Sequence, residues 1–185
     1  MSISDFGAVV RAARRGDHRA QAVLYREYAP AVLGYARGSR AGDPEDVTSE
    51  VFVAVVRGLA GFEGDEPAFR SWLFTIAHHR VVDERRGRAR RTEDATDPVE
   101  LAGRTATWST PDDAALVDPV ASAHLRAALD GLTGEQRDVV LLRIVADLPI
   151  AEVAELLGKG EGAVKMLQRR ALAALARDVS AELVA

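Results

Sequence analysis

The chain has 185 residues, of which 48% are hydrophobic and 28% are charged, and its formal net charge at pH 7 is −4. This length allows one ordinary domain or two small ones, and the negative net charge excludes the overall basicity of a nonspecific nucleic-acid binder, so any DNA-binding surface must be local. The sequence contains no cysteine, which excludes disulfides, thiol chemistry and cysteine-based zinc sites, and we expect neither a metal nor a cofactor.

The N-terminal segment 1–17 lacks the basic start, the uninterrupted apolar core and the cleavage site of a signal peptide. No apolar run approaches the length of a membrane span. We therefore expect a soluble, cytoplasmic protein without membrane insertion.

The first predicted elements are helices, because short β-branched runs lie inside longer patterns of helical period. Strand signals are nearly absent, and the predicted fold class is all-α. Between Asp5 and about Arg37 the helical pattern is broken near Gly16-Asp17 and again near Ala29-Pro30.

A second helical block is predicted from Asp43 to Leu59, where Asp-Pro-Glu-Asp places acidic residues in the first turn. Its apolar residues recur at every fourth position and predict one buried stripe, formed by Val47, Val51, Val55 and Leu59. The glycines and proline of Gly61 to Pro67 predict a loop, and a third helix is expected from about Ala68 to Arg86.

The periodicity disappears between Thr92 and Asp118, where seven acidic residues face a single arginine. Such a composition is typical of a mobile linker. The helical pattern resumes near Pro119. The sequence thus predicts two small helical domains, 1–91 and 119–185, joined by an acidic flexible linker at 92–118.

The segment 150–170 carries two helical patterns joined by a glycine-rich corner, which is typical of a helix-turn-helix. Ala154 provides the small residue that two tightly crossing helices need, and Gly158 can take the left-handed conformation of the turn. Val164 would fill the shared core. Lys165, Gln168 and Arg169 then fall on the other side of the second helix, where they could reach bases and phosphates. An antiparallel helical hairpin with a solvated basic face remains the alternative at this point.

A second basic surface is predicted in Trp72 to Arg91, whose later part holds six arginines against two acidic residues. A helix end that complements its own dipole accounts for one or two of these arginines. It accounts poorly for six, so a second contact with nucleic acid is favoured.

The order of motifs resembles a bacterial extracytoplasmic-function (group IV) RNA polymerase sigma factor. The resemblance rests on Asp-Pro-Glu-Asp-Val-Thr-Ser-Glu-Val-Phe at 43–52, Phe-Arg-Ser-Trp-Leu-Phe-Thr-Ile-Ala at 69–77, the acidic linker, and Leu-Thr-Gly-Glu-Gln-Arg-Asp-Val-Val-Leu-Leu-Arg at 132–143 leading into the helix-turn-helix. It covers nearly the whole chain in the right order. It implies a protein that binds core RNA polymerase and directs it to promoter DNA.

The resemblance assigns residues 1–91 to a region that binds core polymerase and the minus-10 element. In the helix at 43–59 it implies that an exposed face docks on the polymerase, with candidate residues Asp46, Glu50, Phe52 and Arg57. The segment 61–91 would open the minus-10 element and hold an extruded base, with Trp72 mainly in the core. The candidate minus-10 residues are Arg70, His79, Arg80, Asp83 and Arg86; His79 stands where relatives often have Asn.

The resemblance assigns residues 119–185 to minus-35 recognition as duplex DNA. The candidate residues are Glu161, Lys165, Gln168 and Arg169 for bases, and Arg170 for a phosphate. Relatives often have Ser-Arg where this chain has Met166-Leu167, so the sequence read could differ. The acidic linker is similar to the family segment that threads the polymerase cleft, although a solubilising tether explains it equally well.

The family is commonly held inactive by an anti-sigma factor, which is therefore an expected partner. A stand-alone helix-turn-helix regulator is the alternative, but it would leave the arginine-rich helix and the 43–59 face without a role. No carboxylate cluster or nucleophile stands beside the basic surfaces, so no enzymatic activity is expected.

Overall fold

A computed structural model describes residues 3, 5–94 and 126–182 of the chain. All regular secondary structure in these residues is helical, which confirms the all-α prediction. The predicted linker beyond Asp94, and the first residues of the second predicted domain, 119–125, lie outside the described residues. Residues 5–94 are called the N-terminal unit below, and residues 126–182 the C-terminal unit.

The N-terminal unit begins with helices α1 (Phe6–Arg14) and α2 (His18–Gly38). The break between them falls at the predicted place, and Asp17 caps α2 by accepting hydrogen bonds from the first-turn amides. The predicted break at Ala29-Pro30 was wrong. Pro30 lies inside α2, where packing of the helix against its neighbours outweighs the hydrogen bond that proline cannot make.

Helix α3 (Pro44–Gly58) starts after the N-cap Asp43 and is followed by a short 3-10 turn, Leu59–Gly61. The predicted stripe is confirmed, because its four members are at most 3% exposed: Val47, Val51, Val55 and Leu59.

Helix α4 (Glu66–Asp94) is longer than predicted at both ends. It starts earlier because Asp65 accepts a hydrogen bond from the Ala68 amide at 3.0 Å, as an N-cap does, and because Pro67 fits a first helical turn. It continues past Arg86 because arginine, glutamate and alanine are good helix formers.

Aromatic rings fill the end of the N-terminal unit next to the loop that precedes α4. Phe69 is fully buried and contacts the rings of Phe6, Phe62 and Tyr28 at centroid distances of 5.5, 5.4 and 5.2 Å. Trp72 stacks on Phe62 at 5.2 Å. This cluster fixes the start of α4 against α1 and α2.

The C-terminal unit contains a helical stretch at 126–130, then α5 (Gly134–Ile144), α6 (Ile150–Leu156) and α7 (Glu161–Glu182). Thr133 and Gln136 form a capping box at the start of α5. Arg137 is only 4% exposed and donates from Nε and Nη2 to the Leu129 carbonyl at 3.0 and 2.7 Å. This buried guanidinium ties α5 to the helical stretch before it.

The two units pack against each other. Gly38, at the end of α2, lies so close to α5 that a Cβ atom there would come within 2.7 Å of Leu141 Cδ2. The buried apolar side chains of both units form one continuous cluster, and charged side chains pair across the boundary around it.

Candidate nucleic-acid interface

The corner between α6 and α7 has the geometry of a helix-turn-helix. Gly158 has φ +62°, and the Lys159 amide donates to the Ala154 carbonyl at 2.8 Å while the Gly158 amide donates to Glu155 at 3.1 Å. These two bonds form the glycine-based helix stop known as the Schellman motif. The chain leaves the motif at Gly160 and enters α7 one residue later, so the predicted left-handed glycine is confirmed.

Small and branched side chains fill the crossing of the two helices. Ala154 is 4% exposed, and Val153 and Val164 are fully buried. Ala171 continues the buried side of α7 two turns further on. The positions predicted for the seam therefore lie in it, and the opposite side of α7 is left to solvent.

The exposed side of α7 carries the residues predicted to read bases. Glu161, Lys165 and Arg169 are exposed, and Gln168 is half-buried. Their spacing of three and four residues places them on one face. Lys165 Nζ lies 3.2 Å from Glu161 Oε2, so two of the residues predicted to read bases pair with each other in this structure. Leu172, 43% exposed, extends the same face and was not predicted.

Arg170 lies on a different side of α7. It lines an open cleft of about 370 Å³ together with Lys159, Met166 and Glu135. Lys159 Nζ contacts Glu135 Oε1 at 2.5 Å at the rim of this cleft. Arg170 therefore lies away from the face predicted to read bases. This position is compatible with the predicted contact to a phosphate.

In the N-terminal unit the predicted minus-10 residues lie in three different places along α4. His79, Asp83 and Arg86 are exposed and share one face of α4, because they are spaced by four and three residues. Arg80 is exposed toward α3, with Nη1 3.7 Å from Glu50 Oε2. Arg70 lies apart from the other four and contacts Asp147 of the C-terminal unit at 3.1 Å.

Adjacent His78 and His79 have different environments. His79 is exposed, whereas His78 is 8% exposed and its Nδ1 lies 2.8 Å from the Tyr35 hydroxyl. Burial lowers the pKa of His78 below its usual value, partly opposed by the nearby Asp138 carboxylate. Within the described part of the chain no group of three or more His, Asp or Glu side chains could hold a metal ion.

The face of α3 predicted for polymerase contact is only partly as expected. Asp46, Glu50 and Arg57 are exposed, but the expected exposure of Phe52 was wrong, since it is 7% exposed. Its ring packs edge-on against Tyr25 at 4.8 Å, because position 52 follows the buried Val51 on the core side of α3.

Apolar side chains that the sequence did not single out replace Phe52 on this surface. Tyr25 from α2 and Val53 and Val56 from α3 are 47%, 49% and 46% exposed. Together with the exposed charges they form a mixed apolar and charged patch of the kind found at protein interfaces. Spacing along α3 could have identified the two valines, but the contribution of Tyr25 depends on how α2 packs.

A further cationic cluster lies at the end of α1. Arg11, Arg14 and Arg15 line an open cleft of about 330 Å³, and Arg14 Nη2 donates to the Ala60 carbonyl at 3.1 Å. The cluster therefore adjoins the start of the loop that leads to α4. Sequence reasoning missed it because the three arginines form no long basic run.

Exposed basic side chains lie on both units, on the helix-turn-helix and on α4. Models of Sigma-70 region 2 and Sigma-70 region 4 match residues 24–91 and 128–177. The chain belongs to the extracytoplasmic-function (ECF) RNA polymerase sigma factors. It is accordingly an alternative sigma factor that directs transcription initiation.

Curated relatives support this membership. The ECF sigma factor BldN of Streptomyces coelicolor is 34% identical over 171 residues, which is 91% of this chain and 64% of BldN. ShbA of Streptomyces griseus subsp. griseus is 32% identical over 177 residues, 91% of this chain and 92% of ShbA. SigD of Mycobacterium tuberculosis is 30% identical, covering 94% of this chain and 84% of SigD.

Two solved structures share the fold. CnrH, solved in complex with the cytosolic domain of CnrY, matches with a TM-score of 0.65 at 26% identity, covering 96% of this chain and 99% of CnrH. RpoE of Bartonella quintana, solved with the anti-sigma factor NepR, matches with a TM-score of 0.63 at 20% identity, covering 85% of this chain and 94% of RpoE. None of the described helices is long and apolar enough to cross a membrane.

Proposed function

We propose that this sigma factor binds core RNA polymerase and the minus-10 element through residues 1–91 and the minus-35 element through residues 119–185, with residues 92–118 as the connection. The observation that carries the proposal is the presence of two separate exposed polar helix faces, on α4 and α7, in a chain whose net charge is −4. The protein acts in the cytoplasm and is not an enzyme, and the chemistry of RNA synthesis belongs to the polymerase.

Minus-35 recognition is assigned to the exposed face of α7. Its N-terminal half enters the major groove, as in other helix-turn-helix proteins, and Lys165, Gln168 and Arg169 carry donors suited to guanine and adenine edges. Glu161 can accept from cytosine once Lys165 turns from it to the DNA. Arg170, on the side of α7 that faces the cleft, contacts a phosphate.

Minus-10 opening is assigned to the α4 face and the loop before it. Unstacking a base costs a few kcal/mol, which stacking on a ring and contacts to phosphates can offset. His79 offers an exposed ring, Arg86 and Arg80 offer charge, and Asp83 offers an acceptor. The Arg11, Arg14 and Arg15 cluster adds a phosphate site beside the loop.

Polymerase binding is assigned to the α3 patch. Asp46, Glu50 and Arg57 supply charge complementarity, while the exposed Tyr25, Val53 and Val56 supply apolar area: aromatic anchors commonly dominate such interfaces. Phe52 supports this surface from beneath by packing against Tyr25.

An anti-sigma factor is the proposed negative regulator. CnrH was solved with the cytosolic domain of CnrY and RpoE with the anti-sigma factor NepR, and this chain matches both over most of its length. The exposed apolar side chains of the α3 patch give such a partner a surface shared with polymerase, so binding of the two would be mutually exclusive.

The test is transcription by purified core polymerase on genomic fragments, with and without the protein. Start sites that depend on the protein, with shared sequences near minus 10 and minus 35, are the expected result. Tight duplex binding by the protein alone, without new start sites, would indicate a stand-alone regulator instead.

A further inference from the structure

A large apolar side chain is exposed in the first half of α7, where charged residues surround it. Met166 is 47% exposed, and its neighbours Lys165, Arg169 and Arg170 are exposed cations. Methionine is usually found in protein cores, because burial of its long apolar side chain is favourable. Met166 therefore contributes little to the stability of the fold, and its side chain is free to contact a partner.

Met166 lies near the centre of the exposed side of α7. The core side of this helix is marked by Val164 and Ala171, which are fully buried. Successive helical residues are about 100° apart around the axis, so Met166 lies about 160° from Val164 and about 140° from Ala171. Gln168 lies only about 40° from Val164, which agrees with its half-buried state. Because a recognition helix turns the side opposite its core contacts to the major groove, Met166 stands closer to the centre of that side than Gln168 does.

Small residues lie beside Met166 at the start of α7. Gly162, one turn earlier, has no side chain, and the space around it is open. Ala163 is also exposed, and Lys165 is drawn toward Glu161 by their ion pair at 3.2 Å. Residues in this half of a recognition helix are the ones that contact base edges. The small neighbours let the backbone approach a groove closely, so that the Met166 side chain can reach the base edges.

The chemistry of a thioether selects one base in the major groove. Thymine presents a methyl group there, whereas the other bases present hydrogen-bond donors and acceptors that need polar partners. A polar base edge covered by the Met166 side chain would lose its water without gaining a hydrogen bond. A thymine methyl loses nothing of this kind, and the flexible, polarizable methionine side chain adapts to its shape. Met166 therefore favours thymine over the other bases at the position that it covers.

We infer that Met166 is a specificity-determining residue that contacts the methyl group of a thymine in the minus-35 element. This apolar contact adds to the polar contacts proposed for Lys165 and Arg169, and it selects a base that neither cation prefers. The inference rests on the proposed reading of the minus-35 element by α7, and the experiments keep the two claims apart.

The methyl contact is tested with deoxyuridine, which pairs with adenine as thymine does and lacks only the methyl group. Each thymine of the minus-35 element, on either strand, is replaced in turn, and transcription is measured with purified core polymerase and the full chain. At one position, or at two adjacent ones, the rate should fall by about three- to fourfold, as expected for the loss of one buried methyl group. If no replacement lowers the rate, the inference is overturned.

Variants of Met166 assign the methyl contact to this side chain. Met166→Ala should be less active on the thymine promoter and should no longer respond to deoxyuridine at the sensitive position. Met166→Leu keeps an apolar side chain of similar size and should retain the response. Alanine and leucine both favour helix, so circular dichroism should show the same helix content for both variants. A Met166→Ala protein that still loses three- to fourfold with deoxyuridine would overturn the inference.

Leu172→Ala is the matched control, because it removes another exposed apolar side chain from the same helix. Leu172 is 43% exposed, but it lies about 9 Å further along the axis than Met166 and about 120° around it. The variant should keep the full response to deoxyuridine at the position that Met166→Ala makes insensitive. Loss of the response in Leu172→Ala as well would show a general effect of apolar surface on α7 and would contradict the assignment to Met166.

A promoter in which the whole minus-35 element is altered separates this inference from the proposed function. Transcription that is indifferent to the element would refute the proposed function and, with it, the role of Met166. Met166 also borders the cleft beside Arg170, where a protein partner is the alternative occupant. If transcription requires the element but Met166→Ala lowers it equally on thymine and deoxyuridine promoters, the proposed function stands, the partner of Met166 is a protein, and the thymine contact is refuted.

Discussion

Arg70 Nη1 lies 3.1 Å from Asp147 Oδ2, although 77 positions separate the two residues in the sequence. The Arg70 side chain is 20% exposed and also lies 3.8 Å from Glu66. A residue that the family resemblance places at the minus-10 element is therefore occupied by protein carboxylates in this structure. Contact between Arg70 and DNA requires the Arg70–Asp147 pair to break, whereas His79, Asp83 and Arg86 are exposed without any such change.

The first prediction concerns the reading helix. Lys165→Ala and Arg169→Ala should each lower transcription from dependent promoters by about ten- to hundredfold, the range expected for a good base contact. The matched control is Arg177→Ala, which removes the same charge from an exposed position of α7 outside the predicted face. Transcription assays on the same promoters measure all three, and equal losses would show that only charge matters.

The second prediction concerns the turn. Gly158→Ala should destabilise the C-terminal unit by about 1 to 2 kcal/mol, because φ +62° is unfavourable for a Cβ atom. No neighbouring atom would meet that Cβ, so the loss reports on backbone conformation alone. Gly134→Ala, at the first residue of α5, is the control, since its surroundings are equally open and its φ is not positive. Urea denaturation of the two variants should differ, and matching midpoints would contradict the left-handed turn.

The third prediction concerns Arg137, whose guanidinium also donates to the Leu132 carbonyl at 3.2 Å. Arg137→Met keeps the apolar stem but leaves buried carbonyls unpaired, and should cost about 2 to 3 kcal/mol of stability. Arg26→Met changes an exposed arginine of α2 and should stay within about 0.5 kcal/mol of the parent chain. Chemical denaturation measures both. A loss below 1 kcal/mol for Arg137→Met would contradict the structural role.

The fourth prediction concerns pH. His78 faces Tyr35 of α2 and lies near Asp138 of α5 and Arg85 of its own helix; burial lowers its pKa below 6.5. The unfolded chain therefore takes up a proton at a higher pH than the folded chain. The stabilising contribution is full above pH 6.5 and is lost as the pH falls through the lowered pKa. His78→Gln should flatten the decline in the free energy of unfolding below pH 6.5, whereas His79→Gln should not. If the free energy of unfolding declined equally in both variants below pH 6.5, the pH dependence would come from groups other than His78.

Local features of the fold followed from sequence patterns. The valine stripe of α3, the helix start at Asp43-Pro44 and the glycine corner at Gly158 depend on residues a few positions apart, so spacing and side-chain size were sufficient to predict them. The length of α4 was underestimated because its charged second half carries no apolar periodicity. Pro30 was read as a break because its packing inside α2 is a tertiary effect.

Features that depend on distant residues could not be predicted in this way. Arg40 and Asp130 are 90 positions apart, and no periodicity links them. The burial of Phe52 depends on Tyr25 from another helix, and the close approach at Gly38 depends on Leu141 from the other unit. The roles of the candidate DNA and polymerase residues stay predictions, because they require partners outside the chain.

The most direct test of the central claim is a transcription assay with purified core polymerase and a promoter fragment identified by protein-dependent start sites, in which the minus-35 and minus-10 elements are altered separately. The expected result is initiation that requires the protein and weakens when either element is altered. Arg169→Ala should reduce initiation from the promoter with an intact minus-35 element more than from the promoter in which that element is altered. Initiation that is independent of the protein, or unaffected by either element, would contradict the assignment of two DNA-reading units to this chain.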